Sequence, residues 1–268
     1  AIHAEYEARL RERLPLVKNG ADPSMHPVWR DEETALRATK RITAIARKYG
    51  RRIHVLHVST AEEVPVLAAH KDVATMECLT HHLTFAAPEC YERLGTFAQM
   101  NPPVRDARHR EALWQAVRDG VVDCIGSDHA PHTKEEKAKP YPQSPSGMPG
   151  VQTLLPIMLH HMNEGRLSLQ RVVDLTSAGP ARVYNICGKG RIALGYDADF
   201  AIVDLKKRRE ITNDWIRTKC GWTPYAGMKI TGWVMATIIR GRIVAREDEL
   251  LDRPIGEPVR FLETLQPA

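Results

Sequence analysis

The chain has 268 residues, of which 43% are hydrophobic and 26% are charged, values typical of a globular protein with one large domain or a domain and a small appendage. Its formal net charge of +5 comes from scattered basic residues, and aromatic residues make up only 6%, which argues against a nucleic-acid partner. No apolar run reaches the roughly 18–20 residues of a membrane-spanning helix, and no signal peptide is visible, which argues against a membrane protein.

The five cysteines are odd in number and widely spaced, without a CxxC pair. This pattern argues against a disulfide framework and favours a reducing, cytoplasmic location. Cys78 and Cys124 lie in apolar, strand-like runs and are expected in the core. The chain opens at Ala1 without a methionine, which suggests a piece of a longer protein.

The first clear helix is predicted after a loop at 22–30. Asp31 is a suitable N-cap, the helix is expected to reach Tyr49, and Gly50 is a suitable stop. Five side chains at helical spacing are expected to share one face: Leu36, Ile42, Ile45, Ala46 and Tyr49.

Strand-like and helix-like segments then alternate. Strands are predicted at 52–58, 73–79, 96–100 and 121–126, and helices at 61–70 and 106–119. This order indicates βα units around a parallel sheet. Polar residues of interest follow predicted strands, namely His3, His57, Asn101 and Asp128. Active sites form at the carboxyl ends of strands in (β/α)₈ barrels and in doubly wound sheets alike, so spacing leaves both folds open.

The sequence pattern changes after the strand predicted at 121–126. Residues 129–150 read as a long loop beside the expected site, and helical patterns run over 151–186. Short β runs follow at 199–204, 233–239 and 242–246, with a hairpin turn at Gly241. This last part is predicted to be a small β unit.

A metal site is the first chemical hypothesis. His3, His57 and Asp128 carry imidazole and carboxylate groups, which are ligands of zinc and similar ions. They are too distant in sequence for any local spacing rule to support them. The remaining histidines mostly have an ordinary surface or core explanation, among them His26, His54, His70, His109, His160 and His161.

The strongest motif is SDHAPH at 127–132, and six further segments accompany it in order. They are HAE at 3–5, HVST at 57–60, ECLTHHL at 77–83, MNPPVR at 100–105, GMPG at 147–150 and DADFA at 197–201. Together these segments resemble the dihydroorotases of the amidohydrolase superfamily. The resemblance covers nearly the whole chain, and the DHAPH and NPP pieces favour this family within the superfamily.

The resemblance implies an α/β fold of the (β/α)₈ barrel type. Residues 1–190 would form the C-terminal half of the barrel, and 191–268 part of a small β-sandwich domain with a C-terminal tail. His3 and His57 would be metal ligands, and Asp128 both a ligand and the catalytic acid/base. The substrate would be bound by four further residues: Asn101, His132, Pro149 and Gly150. His81 and His82 would be structural.

The implied reaction is the reversible hydrolysis of (S)-dihydroorotate to N-carbamoyl-L-aspartate in pyrimidine biosynthesis. A metal-bound hydroxide would attack, with two Zn²⁺ ions expected in each active site of the whole enzyme. The implied assembly is a cytoplasmic homodimer, with aspartate transcarbamoylase as a further partner.

Part of the family pattern is absent from this chain. The His-x-His pair, the bridging lysine or aspartate ligand and a carboxylate-binding arginine would all precede residue 1. We therefore expect the chain alone to be inactive and to need the N-terminal half of the barrel. Two alternatives stay open: an allantoinase or dihydropyrimidinase, and a non-catalytic dihydroorotase-like scaffold for aspartate transcarbamoylase.

Overall fold

The computed structural model describes residues 1–18, 20–251 and 253–262. The chain divides into two compact units. The first unit combines Ala1–Leu154 with Thr212–Ala226, and the second combines Leu155–Ile211 with the described residues from Gly227 onward. The predicted division at residue 190 concerns the domains of the whole protein and stays a prediction.

A parallel sheet forms the centre of the first unit. Its strands are β1 (Ile53–Val55), β2 (Ala74–Leu79) and β3 (Cys124–Gly126), in this spatial order. Ile2 extends the sheet beside β1 through a parallel bridge to Val55. Three of the four predicted strands are thereby confirmed.

The helices of the first unit connect and flank these strands. They are α1 (Glu7–Arg13), α2 (His26–Trp29), α3 (Glu32–Lys48), α4 (Glu63–Ala68), α5 (Thr80–Thr84), α6 (Glu89–Leu94), α7 (Ala107–Arg118) and α8 (Lys134–Lys137). Short 3₁₀ turns lie at Leu14–Val17, Pro23–Met25 and Gly95–Ala98. Helices α3, α4 and α7 confirm the three predicted in this part of the chain.

Helix α3 begins as expected, because the Asp31 carboxylate accepts a hydrogen bond from the Thr34 amide at 3.0 Å. The predicted apolar face was correct in part: Ala46 is buried, Leu36 and Ile42 are half-buried, and Ile45 and Tyr49 are not buried. The buried positions are Thr34, Ala35, Thr39, Thr43 and Ala46. Ile45 and Tyr49 are exposed, and the buried positions are occupied by small and β-branched side chains.

The strand predicted at 96–100 was also wrong. A 3₁₀ turn covers Gly95–Ala98, and Gly95 has a positive φ of 55° that starts it. The Gln99 carbonyl accepts from the Gly147 amide at 2.9 Å and from the Lys137 ammonium at 2.9 Å. The Gln99 carbonyl therefore bonds to residues of the long loop and not to a neighbouring strand.

The second unit contains an antiparallel sheet in sequence order. Its strands are β4 (Phe200–Glu210), β5 (Lys229–Ile239), β6 (Arg242–Arg246) and β7 (Glu249–Leu250), and its helices are α9 (Leu154–Asn163), α10 (Leu169–Val173) and α11 (Gly179–Val183), with a π turn at Asp174–Ala178. The predicted β runs and the hairpin turn at Gly241 are confirmed.

Helix α9 lies close to β5 within this unit. The Asn163 side chain donates to the Thr231 carbonyl at 3.1 Å. A Cβ added at Gly232 would lie 2.6 Å from that of Leu159, so glycine is required at this crossing. Among the described residues, none of the helices is long and apolar enough to span a bilayer.

Candidate active site at the strand ends

Two of the predicted metal ligands meet at the end of the sheet. The bridge at Ile2 aligns its segment with β1, so the next residue, His3, lies beside the residue that follows β1 closely, His57. Their facing nitrogens, Nδ1 of His3 and Nε2 of His57, are 3.0 Å apart, and the rings meet edge to face. The structure therefore brings together two residues that are 54 positions apart in sequence.

A carboxylate fixes the ring of His3 from its other side. Nε2 of His3 lies 2.9 Å from Glu5, whose carboxylate is also bound by the Arg30 guanidinium. Burial acts to raise the pKa of Glu5, but the hydrogen bond from His3 and the contact with Arg30 outweigh it and lower that pKa to about 2. An ionised Glu5 holds a proton on Nε2 of His3 and orients Nδ1 toward His57.

His57 is held in an unusual backbone conformation. Its φ is 37°, and its amide donates a long hydrogen bond of 3.4 Å to Glu77. Burial, followed by the charge of His3, lowers the pKa of His57 to about 4, so the ring is neutral at pH 7. Its buried Nδ1 has no hydrogen-bond partner. Left-handed backbone at a non-glycine residue is a form of strain that clusters at functional sites.

Asp128 follows β3 and shares this backbone feature, with a φ of 40°. Burial and then the negative charge of Glu77 raise the pKa of the Asp128 carboxyl, while His3 acts in the opposite direction. The carboxylate is consequently a stronger base than an exposed aspartate.

Asn101 is oriented by a residue that sequence reasoning had set aside. Nε2 of His26 lies 3.0 Å from both the Met100 carbonyl and Oδ1 of Asn101, while Nδ1 lies 3.2 Å from the Tyr141 hydroxyl. Burial, with the charge of Arg30, lowers the pKa of His26 to about 4. The neutral ring therefore donates from Nε2 and accepts from Tyr141, and the Asn101 amide nitrogen remains directed away from His26.

His132 lies within the long loop after β3. Its Nε2 donates to the Ser146 carbonyl at 3.2 Å, and its own carbonyl accepts from the Trp222 indole at 2.8 Å. A Cβ added at Gly147 would come within 3.1 Å of the His132 ring. These contacts fold both ends of the 129–150 loop against each other.

Pro149 and Gly150 are brought to the end of β3. A Cβ added at Gly150 would be 2.6 Å from the Ser127 carbonyl, so only glycine allows the loop to approach the residue before Asp128 this closely. The Gly150 amide donates to Nδ1 of His129 at 3.1 Å, and the Pro149 carbonyl accepts from His81 at 3.3 Å. Both backbone groups are already engaged within the protein.

His81 and His82 anchor the loops that carry the predicted substrate-binding residues. His81 donates to Pro149, and Nε2 of His82 donates to the Pro102 carbonyl at 3.0 Å, next to Asn101. Burial lowers the pKa of His81 to about 4 and that of His82 to about 3. Both rings are neutral supports.

Sequence reasoning missed Glu77 and His26 as contributors to this site. Glu77 was noted only as part of a motif and His26 only as an ordinary histidine. The single available signal for Glu77 was a carboxylate within an apolar strand, since buried carboxylates need partners. For His26 no pattern in the sequence indicated its contact with Asn101, 75 positions away.

The residues at the strand ends fit a divalent ion in their chemistry. Two imidazole nitrogens face each other, the orienting carboxylate of Glu5 lies behind one ring, and a buried nitrogen of the other ring is unsatisfied. In the described part of the chain, Asp128 does not lie within 4.8 Å of both histidine nitrogens. The structure therefore joins His3 to His57 and leaves Asp128 near, but outside, that pair.

Comparison with known proteins gives a consistent result. Residues 35–244 match the family described as the amidohydrolase family. Over 91% of its length the chain is 40% identical to a dihydroorotase of Halobacterium salinarum, and over 97% it is 38% identical to one of Pyrococcus abyssi. The chain spans 56% and 59% of these two relatives.

A solved structure with a similar fold is an L-hydantoinase (dihydropyrimidinase) from Arthrobacter aurescens. The TM-score is 0.89 at 30% identity, and the match covers 93% of this chain and 57% of the other. The likeness confirms the predicted fold class, α/β with part of a (β/α)₈ barrel.

Proposed function

The chain belongs to the amidohydrolase family, and on that premise we propose that it carries the C-terminal part of a dihydroorotase active site. The proposed reaction is the reversible hydrolysis of (S)-dihydroorotate to N-carbamoyl-L-aspartate. The observation that carries the proposal is the juxtaposition of His3 and His57 at 3.0 Å, with the basic carboxylate of Asp128 at the end of a neighbouring part of the sheet. Relatives that are named dihydroorotases support the choice of substrate.

The metal ligands in this chain would be His3, His57 and Asp128. A divalent ion held there lowers the pKa of water and polarises a carbonyl group. We propose Zn²⁺, because imidazole and carboxylate are among its usual ligands, and two ions per complete site. The other ligands of that site are proposed to come from the part of the relatives that this chain does not span.

Asp128 is proposed to move the proton. Its carboxylate takes a proton from the attacking water as the carbon–oxygen bond forms, and then gives it to the ring nitrogen as the carbon–nitrogen bond breaks. Burial and the charge of Glu77 favour this role, because both make the carboxylate more basic.

Asn101 and His132 are proposed to hold the substrate ring and its carboxylate, with the backbone at Pro149 and Gly150 beside the ring amide. His26 accounts for the orientation of Asn101, since it binds Oδ1 and leaves the amide nitrogen to donate. His132 donates to Ser146 through Nε2, so it would bind a substrate carboxylate through Nδ1 only when that nitrogen also carries a proton, in the place where Glu136 lies 3.8 Å from it.

A second candidate is another cyclic-amide hydrolase. The observation that favours it is the TM-score of 0.89 to an L-hydantoinase (dihydropyrimidinase). Such enzymes open related rings that lack the dihydroorotate carboxylate, so a role of His132 in carboxylate binding would distinguish the two functions.

The test uses the protein that carries this chain and compares L-dihydroorotate, dihydrouracil, hydantoin and allantoin as substrates. We expect turnover of dihydroorotate, lost in Asp128→Ala and weakened through KM in His132→Ala. Turnover of another ring without that of dihydroorotate would support the second candidate. Metal-free protein with no turnover of any ring would support the non-catalytic scaffold.

Three further parts of the proposal concern the whole protein. We propose a homodimer located in the cytoplasm that associates with aspartate transcarbamoylase. Light scattering of the protein alone and after mixing with the transcarbamoylase tests both associations. A monomer that does not change in mass on mixing would contradict them.

A further inference from the structure

A second cluster of metal-binding side chains lies earlier along the same strands. We propose that His54 of β1, Glu77 of β2 and Cys124 of β3 form a metal site of their own, for zinc or a divalent ion with similar ligand preferences. The site uses none of the strand-end ligands, although Glu77 also accepts from the His57 amide at 3.4 Å, and it does not rest on the proposed hydrolase function. In the described part of the chain, these three residues form the group whose ligand atoms all lie within 4.8 Å of one another.

The strand register places the three side chains on one face of the sheet. Glu77 and Cys124 are direct partners across β2 and β3. His54 is the partner of Thr75, which lies two residues before Glu77 and so on the same face of β2. Three adjacent parallel strands therefore each contribute one ligand from a rigid backbone.

The distances match those around a tetrahedral ion. Nε2 of His54 is 3.2 Å from Oε2 of Glu77, and Sγ of Cys124 is 3.8 Å from that nitrogen and 3.9 Å from that oxygen. Tetrahedral zinc bonds imply separations of about 3.3 Å for a nitrogen–oxygen pair and about 3.6 Å where sulfur is one partner. The three atoms need to move by only a few tenths of an ångström to hold the ion.

The ring of His54 is oriented by a neighbour, as in known zinc sites. Its Nδ1 lies 2.8 Å from the Thr75 hydroxyl, and that hydroxyl donates to the Ile53 carbonyl at 3.4 Å. In the tautomer that carries the ring proton on Nδ1, His54 donates to the Thr75 oxygen. This leaves the Nε2 lone pair directed at Glu77 and Cys124. A nitrogen lone pair facing a carboxylate oxygen is favourable when a cation lies between them.

Because the three side chains are buried, a bound cation would stabilise the carboxylate of Glu77. The exposed fractions are 5% for His54, 8% for Glu77 and 2% for Cys124. A buried carboxylate is unfavourable unless it is paired or binds a metal. Gly126 makes room for this carboxylate, because a Cβ there would be 2.6 Å from Oε1 of Glu77.

The sulfur ligand makes the site separately observable. The predicted strand-end ligands are imidazoles and a carboxylate, so a thiolate-to-cobalt charge-transfer absorption would report on Cys124 alone. The experiment titrates metal-free protein with Co²⁺, follows that absorption in the near ultraviolet, and then displaces the ion with Zn²⁺. We expect one equivalent of Co²⁺ with thiolate absorption, bleached by Zn²⁺.

Cys78 provides the matched control, because it is the residue after Glu77 and is fully buried, yet lies outside the cluster. Cys124→Ser should abolish the absorption and lower bound metal by one equivalent, whereas Cys78→Ser should change neither. Thr75→Val should keep the absorption and weaken binding by about 10- to 100-fold, the usual effect of removing a partner of a ligand.

Circular dichroism checks that each protein is folded. If Cys124→Ser does not fold, His54→Gln replaces it, with loss of about one equivalent of bound metal expected, and Thr75→Val tests the weaker binding. Folded wild type without thiolate absorption would overturn the proposal, and so would absorption that survives in folded Cys124→Ser. In those cases the cluster would be a hydrogen-bonded element of the core.

Discussion

Two clusters of the first unit use the same residue types in different surroundings. At the strand ends, His3 and His57 face each other beside a basic Asp128. Within the sheet, His54, Glu77 and Cys124 converge on one point and are almost fully buried. Residues on loops beyond strands can meet a substrate, whereas residues on paired strands are held rigidly and shielded from it. The first arrangement suits chemistry and the second suits structural metal binding.

Glu77 connects the two clusters. One carboxylate oxygen contacts His54, and the other accepts from the His57 amide at 3.4 Å. Its charge also raises the pKa of Asp128. An ion bound within the sheet would therefore act on the strand ends through a single side chain.

The largest expected effect is the loss of turnover in the 268-residue chain, because only the sheet cluster has all its proposed ligands within this chain. The sheet cluster lies entirely within these 268 residues, while the chain spans only 56% of a dihydroorotase that it resembles. We expect no dihydroorotate turnover from the 268-residue chain alone, confirmed by mass spectrometry, and turnover from the longer protein. Circular dichroism of the chain serves as the folding control, and full turnover by the chain would refute this expectation.

Asp128→Asn tests the strand-end cluster in the longer protein. The amide keeps the shape of the carboxylate but cannot accept the proton, so turnover should fall on the order of 10²- to 10⁴-fold. Thiolate absorption from the sheet cluster should be unchanged. Asp119→Asn, at an exposed aspartate on the C-terminal side of α7, is the control and should keep full turnover. A fall of less than tenfold in Asp128→Asn would remove Asp128 from the mechanism.

A pH dependence should arise outside both clusters, at His26. Its pKa is about 4 in the folded protein and 6.5 when exposed, so the folded state binds this proton less readily. Stability from His26 is complete above pH 6.5 and is lost as pH falls toward 4, by about 3 kcal/mol. Urea unfolding at pH 7 and pH 4 should show a larger loss for wild type than for His26→Gln. Equal losses would mean that His26 is not buried as described.

Gly126→Ala should disturb both clusters through Glu77. The added methyl would be 2.6 Å from Oε1, and displacing the carboxylate should lower the free energy of unfolding by about 1–3 kcal/mol. Gly256→Ala is the control, because no atom lies within 4 Å of its added carbon, and its effect should stay within about 0.5 kcal/mol. Thermal melts of the two variants, with and without Zn²⁺, measure the change in stability. Equal melting temperatures for the two variants would count against the close contact.

The sequence allowed the strand-end residues to be predicted, because each follows an apolar run and belongs to a recognisable motif. Apolar runs are a local property of the sequence, and they correctly predicted β1, β2 and β3. The strand at 96–100 failed because its backbone groups bond to Gly147 and Lys137, which are distant in sequence. The face of α3 was predicted only in part, because its buried positions hold alanine and threonine, whereas the prediction relied on large apolar side chains such as Ile45.

The sheet cluster could not be predicted for the same reason. His54, Glu77 and Cys124 are separated by 23 and 47 positions, and only the strand register places them together. Sequence reasoning assigned His54 an ordinary surface or core explanation and placed Cys124 in the core. Both expectations concern single residues, whereas a metal site depends on the distances between several side chains in the folded sheet.

The most direct test of the central claim measures L-dihydroorotate hydrolysis and thiolate-to-cobalt absorption side by side in the longer protein, for wild type, Asp128→Asn and Cys124→Ser. We predict that Asp128→Asn loses hydrolysis and keeps the absorption, and that Cys124→Ser loses the absorption and keeps most of the hydrolysis. Full hydrolysis by Asp128→Asn would contradict the assignment of the strand ends as the reacting site.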